Sequence, residues 1–256
     1  MPAIKPILPW LLRSEWRTSA APFHRFAAVA LMLVVCSVGA SDPADAQSQA
    51  IDLSRQPLGA PPQDFEFWRA GEADPDHWAL MRDAATDSNV SIQRSDQDRD
   101  LHSSLALCKT FSAVNAKVRV RFKLIDGSMP SAGIVVRATS PNDYYLVRVS
   151  AFELRLSLLH VVNGTPEEIA GVDADVAQNH WQGLEVVVNG NTFKISLDDR
   201  WALTAYDYGM PVGGHFGIWT ERDDVTRFNE IEITPLTHGI DGETPRSQAG
   251  GKSRTE

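Results

Sequence analysis

Arg137, Tyr145, Arg148, Glu153, Trp219 and Asp223 carry side chains suited to saccharide recognition. Sugars present apolar C–H faces to aromatic rings and hydroxyls to charged groups. Tyr145 and Trp219 would then make the ring contacts. Arg137, Arg148, Glu153 and Asp223 would hydrogen-bond the hydroxyls. The same residues also admit a packing role, with both aromatics filling a sandwich and both arginines pairing with Glu153 or Asp223 at a sheet margin.

Carboxylates offer further chemistry. Glycoside hydrolysis takes two of them, roughly 5–5.5 Å apart for retention or 6.5–9.5 Å for inversion, whereas elimination needs a single base, for which Glu153 or Asp223 is the candidate. Asp173 with Asp175, and Glu230 with Glu232, share a face at i, i+2, and both pairs read as solvent-facing. Glu221, Asp223 and Asp224 are oxygen donors that calcium could take, or turn-formers before Val225. No G-x-S-x-G, P-loop, G-x-G-x-x-G or H-E-x-x-H occurs, so serine hydrolase, NTPase, dinucleotide and zinc-protease readings lose their usual support. His77, His102, His160, His180 and His215 lack metal-ligand spacing. His77-Trp78 and His180-Trp181 read as packing pairs. Cys108 lies in a strand-like run with Leu105, Leu107 and Phe111 and reads as a small buried hydrophobe.

Short alternating runs must position these groups. In residues 117–124 Val118, Val120, Phe122 and Leu124 point one way and Lys117, Arg119, Arg121 and Lys123 the other. Further strands are expected at 133–139, 144–149, 154–162, 184–188, 193–197, 216–220 and 228–233. Turn signals separate them, among them Ser140-Pro141-Asn142-Asp143, Asn163-Gly164 and Asn189-Gly190-Asn191. No helical period runs longer than a turn or two. This pattern predicts an all-β protein, a two-sheet antiparallel jelly-roll sandwich. The four outward cations read as a charge ladder paired with Glu185, Glu230 and Glu232.

The chain has 256 residues, 43% hydrophobic and 22% charged, which excludes a wholly disordered polymer. Its net charge of −9 argues against nucleic acid or anionic lipid as a partner. Residues 27–40 form a short apolar run after Lys5, Arg13, Arg17 and Arg25, followed by Ala44-Asp45-Ala46. That is the layout of a secretory signal over residues 1–46, with cleavage near Gln47. An uncleaved anchor, or a lipoprotein using Cys36, are the alternatives. The expected product is exported, periplasmic or extracellular, with no membrane span after cleavage. Residues 47–62 read as a linker, 63–236 as the sandwich and 237–256 as a disordered tail.

Taken in order, FWRAGEADPDHWAL, VRFKLIDG, GIVVRATSPNDYYLVRV, HVVNG, HWQGLEVVVNGNTFKISLD and GHFGIWTERDDVTRFNEIEI span about residues 65–236. They resemble the concanavalin A-like lectin/glucanase sandwich of secreted bacterial LamG-like and DUF1080 (3-keto-disaccharide hydrolase-like) domains. The resemblance implies two sheets, one with a concave face that often receives carbohydrate, bordered by YYLVRVSAFE and IWTERDDVTRF. Ser150, Leu154, Arg155 and the FNE of residues 228–230 depart from the family pattern, and the E-x-D-x-x-E run of its glucanases is missing. The expectation is an exported module that binds a saccharide or glycan-containing surface, without an evident catalytic set. One alternative is a glycoside-cleaving enzyme acting on plain or 3-keto saccharides, with Glu153 or Asp223 as base and Arg148 steadying an enolate. The other is a protein-interaction module of the envelope.

Overall fold

A computed structural model describes residues 48–71, 76–94, 102–221 and 223–236. The signal expected over residues 1–46 and the tail of 237–256 lie outside them. The described residues hold fifteen strands and no helix, so none is long and apolar enough to cross a membrane. In chain order the strands are β1 (Gln49–Ala50), β2 (Phe65–Arg69), β3 (Trp78–Arg82), β4 (Val90–Arg94), β5 (Ser103–Ala113), β6 (Ala116–Asp126), β7 (Ser131–Ser140) and β8 (Asp143–Ser150). They continue as β9 (Arg155–Val162), β10 (Thr165–Asp173), β11 (Gln182–Asn189), β12 (Thr192–Leu197), β13 (Arg200–Tyr206), β14 (Gly214–Glu221) and β15 (Val225–Pro235).

Two antiparallel sheets form the sandwich. One runs β13-β12-β11-β6-β15-β4-β3, with β1 added on β15; the other runs β10-β9-β8-β7-β14-β5-β2. Alternation along β6 explains its place in the middle of the first sheet. Val118, Val120, Phe122 and Leu124 are fully buried between the layers with Val186, Ile195 and Phe228. Outward cations pair across strands as expected, Arg121 3.0 Å from Glu230 and both Lys117 and Arg119 3.9 Å from Glu185, while Arg119 also reaches Asp199 of the β12–β13 turn at 2.5 Å.

The second sheet buries both faces. Its inner face supplies Ile134, Val136, Tyr145, Val147, Leu158 and Ile218 to the core between the layers. Its outer face carries a second apolar cluster that includes Leu105, Leu107, Val135, Tyr144, Leu146, Leu159 and Trp219, with Trp68 packed against it. Two buried faces account for the nearly unbroken apolar runs of β7 and β8. Residues 48–62, expected as a linker, are instead part of the packing. Gln49 and Ala50 pair with Ile233 and Glu232, Leu53 is 2% exposed, and Gly59 and Ala60 exchange backbone hydrogen bonds with Leu80. Leu53 and Ile51 supply the apolar contact that holds the stretch down.

Candidate functional site

The pleat divides the six expected ligand residues between two faces. On β8, Tyr145, Val147 and Val149 face the interior while Tyr144 and Leu146 lie in the outer cluster. By the same alternation Arg148 faces outward. Tyr145 and Arg148 therefore cannot share one ligand face, and the single cluster expected from the sequence does not form.

Arg137 is also internal. It sits where β7 loses register with β8, at φ 55°, and is 1% exposed. Its guanidinium donates to the carbonyls of Val114 (2.7 Å), Gly190 (2.6 Å) and Met210 (3.1 Å) and lies over the Phe193 ring at 5.8 Å. Burial draws its pKa below the usual arginine value. These contacts tie three loops together at one end of the sandwich. Tyr145 is beside it, donating its hydroxyl to Asp207 and accepting from the Met210 N–H at 2.9 Å. Burial, then the bond to Asp207, push the phenol up to about 12. Burial works against the Asp207 carboxylate, but hydrogen bonds from Tyr145 and Gly209 outweigh it and hold the group below its ordinary range.

Trp219 and Arg148 do share the outer face. Trp219 is 2% exposed, however, a packing residue rather than an open platform. Arg148 donates to Glu153 at 2.5 Å and stands 3.9 Å from Glu221, the sheet-margin pairing the sequence allowed. The cleft bounded by Tyr144, Leu146, Arg148, Trp219 and Glu221 encloses about 80 Å³, well under the ~300–1,000 Å³ of ordinary ligand pockets.

The acidic turn does not assemble a cation site. Asp223 accepts from the N–H (3.2 Å) and hydroxyl (2.7 Å) of Ser128. Asp224 accepts from the N–H (3.0 Å) and hydroxyl (2.6 Å) of Ser131. Glu221 turns toward Ser131 and Arg148. Among the described residues no group of three or more His, Cys, Asp or Glu side chains could hold a metal ion. The donor set expected for calcium therefore does not fit one here. Asp224 is 2% exposed, and burial, with Glu221 and Asp223 nearby, pushes its carboxyl up to about 7.

The roomy site lies elsewhere, where the β10–β11 connection passes the β12–β13 turn. This groove of about 660 Å³ is lined by Asp173, Asp175, His180, Trp181, Arg200 and Trp201, among others. Asp198 builds one wall; it and Asp199 are both at positive φ (48° and 59°) in the two-residue turn joining Leu197 to Arg200. Positive φ at both central positions marks a type I′ turn, which Asp tolerates better than most residues. Asp198 locks the wall by accepting from the Gly183 N–H at 2.7 Å and from Gln182 Nε2 at 3.1 Å.

Trp201 also lines the groove, 70% exposed, its indole N–H held by the Thr204 hydroxyl at 3.1 Å. Trp181 lies half-buried at the groove with the Arg121 guanidinium 5.6 Å above its ring, a cation–π distance. Asp173 and Asp175 are both exposed. The groove therefore offers two indoles, carboxylates and a cation around a space large enough for sugar rings. Sequence reading assigned His180-Trp181 to packing and passed over Trp201, although an aromatic two residues beyond an Asp-Asp turn was the available signal.

Among solved structures, the chain is similar to the carbohydrate-binding module CBM66 from Bacillus subtilis, at 20% identity and a TM-score of 0.54, covering 66% of this chain and 94% of that one. The likeness is one of fold. The chain also aligns with the exoplasmic/lumenal domain of VIP36 in its Ca2+/Man-bound form, at 13% identity, TM-score 0.48, covering 70% of this chain and 85% of that one. A third alignment is with a Bacillus subtilis protein of galectin-like fold, at 10% identity, TM-score 0.48, covering 69% and 91% respectively. No protein-family model matches the sequence, and no curated protein matches it.

Proposed function

We propose that this chain is an exported carbohydrate-binding β-sandwich of the LamG-like and DUF1080 kind, and that the groove at Trp181 and Trp201 is where saccharide binds. The observation that carries the reading is the pairing of those two indoles in one groove with exposed carboxylates and Arg200. Aromatic faces bury the C–H side of a sugar ring and the charged groups take its hydroxyls. Glu153 and Asp223 are engaged by Arg148 and Ser128, away from this groove. Binding without cleavage is the activity this arrangement supports.

A glycan array followed by titration calorimetry of the retained sugar tests it. Trp201→Ala is expected to lower affinity at least tenfold, whereas Arg148→Ala leaves it within twofold. The reverse outcome moves the site to the outer cleft. Release of product from plain or 3-keto glycosides, lost in Glu153→Gln, would replace the binding reading with the enzymatic one.

A further inference from the structure

The edge strand β13 breaks its own alternation. Leu197 pairs with Arg200 and Ser196 with Trp201, but Ile195 pairs with Leu203, leaving Ala202 as an extra residue on β13. Beyond this bulge Leu203 and Ala205 join the core beside Ile195 and Phe193, so Thr204 and Tyr206 face outward. Trp201, paired with outward Ser196, is on that same outer face. A regular strand would put residues five apart on opposite faces, and the bulge removes that conflict. Trp201 and Tyr206 are 70% and 64% exposed.

Their partners on β12, Ser196 and Thr192, are four residues apart, which places the backbone positions that carry the two aromatics about 13–14 Å apart along the strand. That span exceeds one sugar ring. Between them Thr204 stands opposite Lys194, so polar groups separate the two rings. β13 is the terminal strand of its sheet, so nothing in that sheet pairs beyond the shelf.

We infer that the groove and the β13 shelf form one extended site for the interior of a linear, uncharged polysaccharide, with Trp201 holding the proximal sugar and Tyr206 a distal one. This rests on the groove being the saccharide site. Asp173, Asp175 and Asp198 outnumber Arg200 in the groove lining, and that excess of carboxylate opposes a uronate chain by like charge. Two separated aromatic contacts on one line suit a chain that continues in both directions rather than a terminal residue.

Affinity electrophoresis of the full chain through laminarin, xylan, mannan, inulin and polygalacturonate tests the class. Calorimetry with two- to six-unit oligosaccharides of the retained neutral polymer then tests the span. Trp201→Ala is expected to lower affinity for every length. Tyr206→Ala is expected to lower it about tenfold for the hexasaccharide, since an aromatic contact contributes up to ~1.5 kcal/mol, and less than twofold for the disaccharide. Both side chains are exposed, and unchanged circular dichroism confirms folding. Sensitivity to Trp201→Ala with none to Tyr206→Ala at any length overturns the extended site and leaves the groove. Retardation by polygalacturonate overturns the uncharged class. Failure of all five polymers overturns both readings, and a dimer seen by light scattering that Tyr206→Ala dissolves assigns the shelf to a second copy instead.

Discussion

Tyr145 and His160 occupy facing positions on β8 and β9 and stack with ring centroids 4.6 Å apart and 21° between their planes. Asp207 reaches this stack from the loop after β13, accepting from the Tyr145 hydroxyl with His160 Nδ1 3.9 Å away. An interior aromatic pair thus anchors the loop that follows the proposed shelf.

Tyr145→Phe keeps the stack but removes that anchor. The Met210 N–H loses its acceptor and Asp207 loses a donor. Unfolding in urea is expected to show a loss of about 1–3 kcal/mol, with the affinity for disaccharide in the groove unchanged.

Arg137→Lys cannot reproduce the fork that reaches three separate carbonyls. It is expected to cost about 3 kcal/mol of stability. Arg148→Lys, at a partly exposed ion pair, should cost less than ~1 kcal/mol. Thermal unfolding of the two variants side by side checks the contrast.

Asp224 should make the fold less stable as pH rises. Its carboxyl titrates near 7 in the fold against 3.8 ordinarily. Between those values the native state keeps a proton that the unfolded chain has released, so unfolding free energy falls with pH and levels off above 7. The full effect is on the order of 2–4 kcal/mol. Glu168 acts in the opposite direction and lower down. Hydrogen bonds from Arg155, its largest influence, help hold it at about 2 against 4.5, so its contribution is present above 4.5 and fades as the solution becomes more acid. Asp224→Asn keeps an acceptor for Ser131 and should flatten the profile from pH 5 to 7. Denaturant titrations across that range would refute the assignment if the slope persisted in the variant.

Gly217 and Gly183 should respond oppositely to a methyl group. A Cβ at Gly217 would stand 2.1 Å from the Ala106 carbonyl oxygen and 2.8 Å from Leu107 Cα, both backbone. At Gly183 it would meet nothing within 4 Å. Gly217→Ala is expected to lose several kcal/mol or fail to fold, while Gly183→Ala stays within ~0.5 kcal/mol. Soluble yield and melting temperature report both.

Strands half-buried on a regular pleat were the legible ones. β6 and the hairpin of β11 and β12 could be read because each alternates cleanly and turns at Asn or Gly. The outer strand β10 was not, since at the sheet edge it buries little and reads TPEEIAGVD. β13 was missed because the extra Ala202 scrambles its period. The paired tyrosines at 144 and 145 contained enough to separate Tyr145 from Arg148, because residues three apart on a strand face opposite ways. Arg137 was different: a register break that turns a charged side chain inward toward carbonyls of distant loops leaves no trace in local hydropathy. Trp201 had a local signal in the Asp-Asp turn before it, but the groove it lines required knowing that residues 173–175 and 200–202 meet, a consequence of tertiary closure.

Ala202 gives the scaffold an unusual genetic handle. Removing that one codon would restore the pleat with Trp201 still opposite Ser196 and beside inward Leu203, so the indole would keep its outward face. The strand can therefore gain or lose one codon at this exposed margin while both aromatics hold their face and the interior stays untouched.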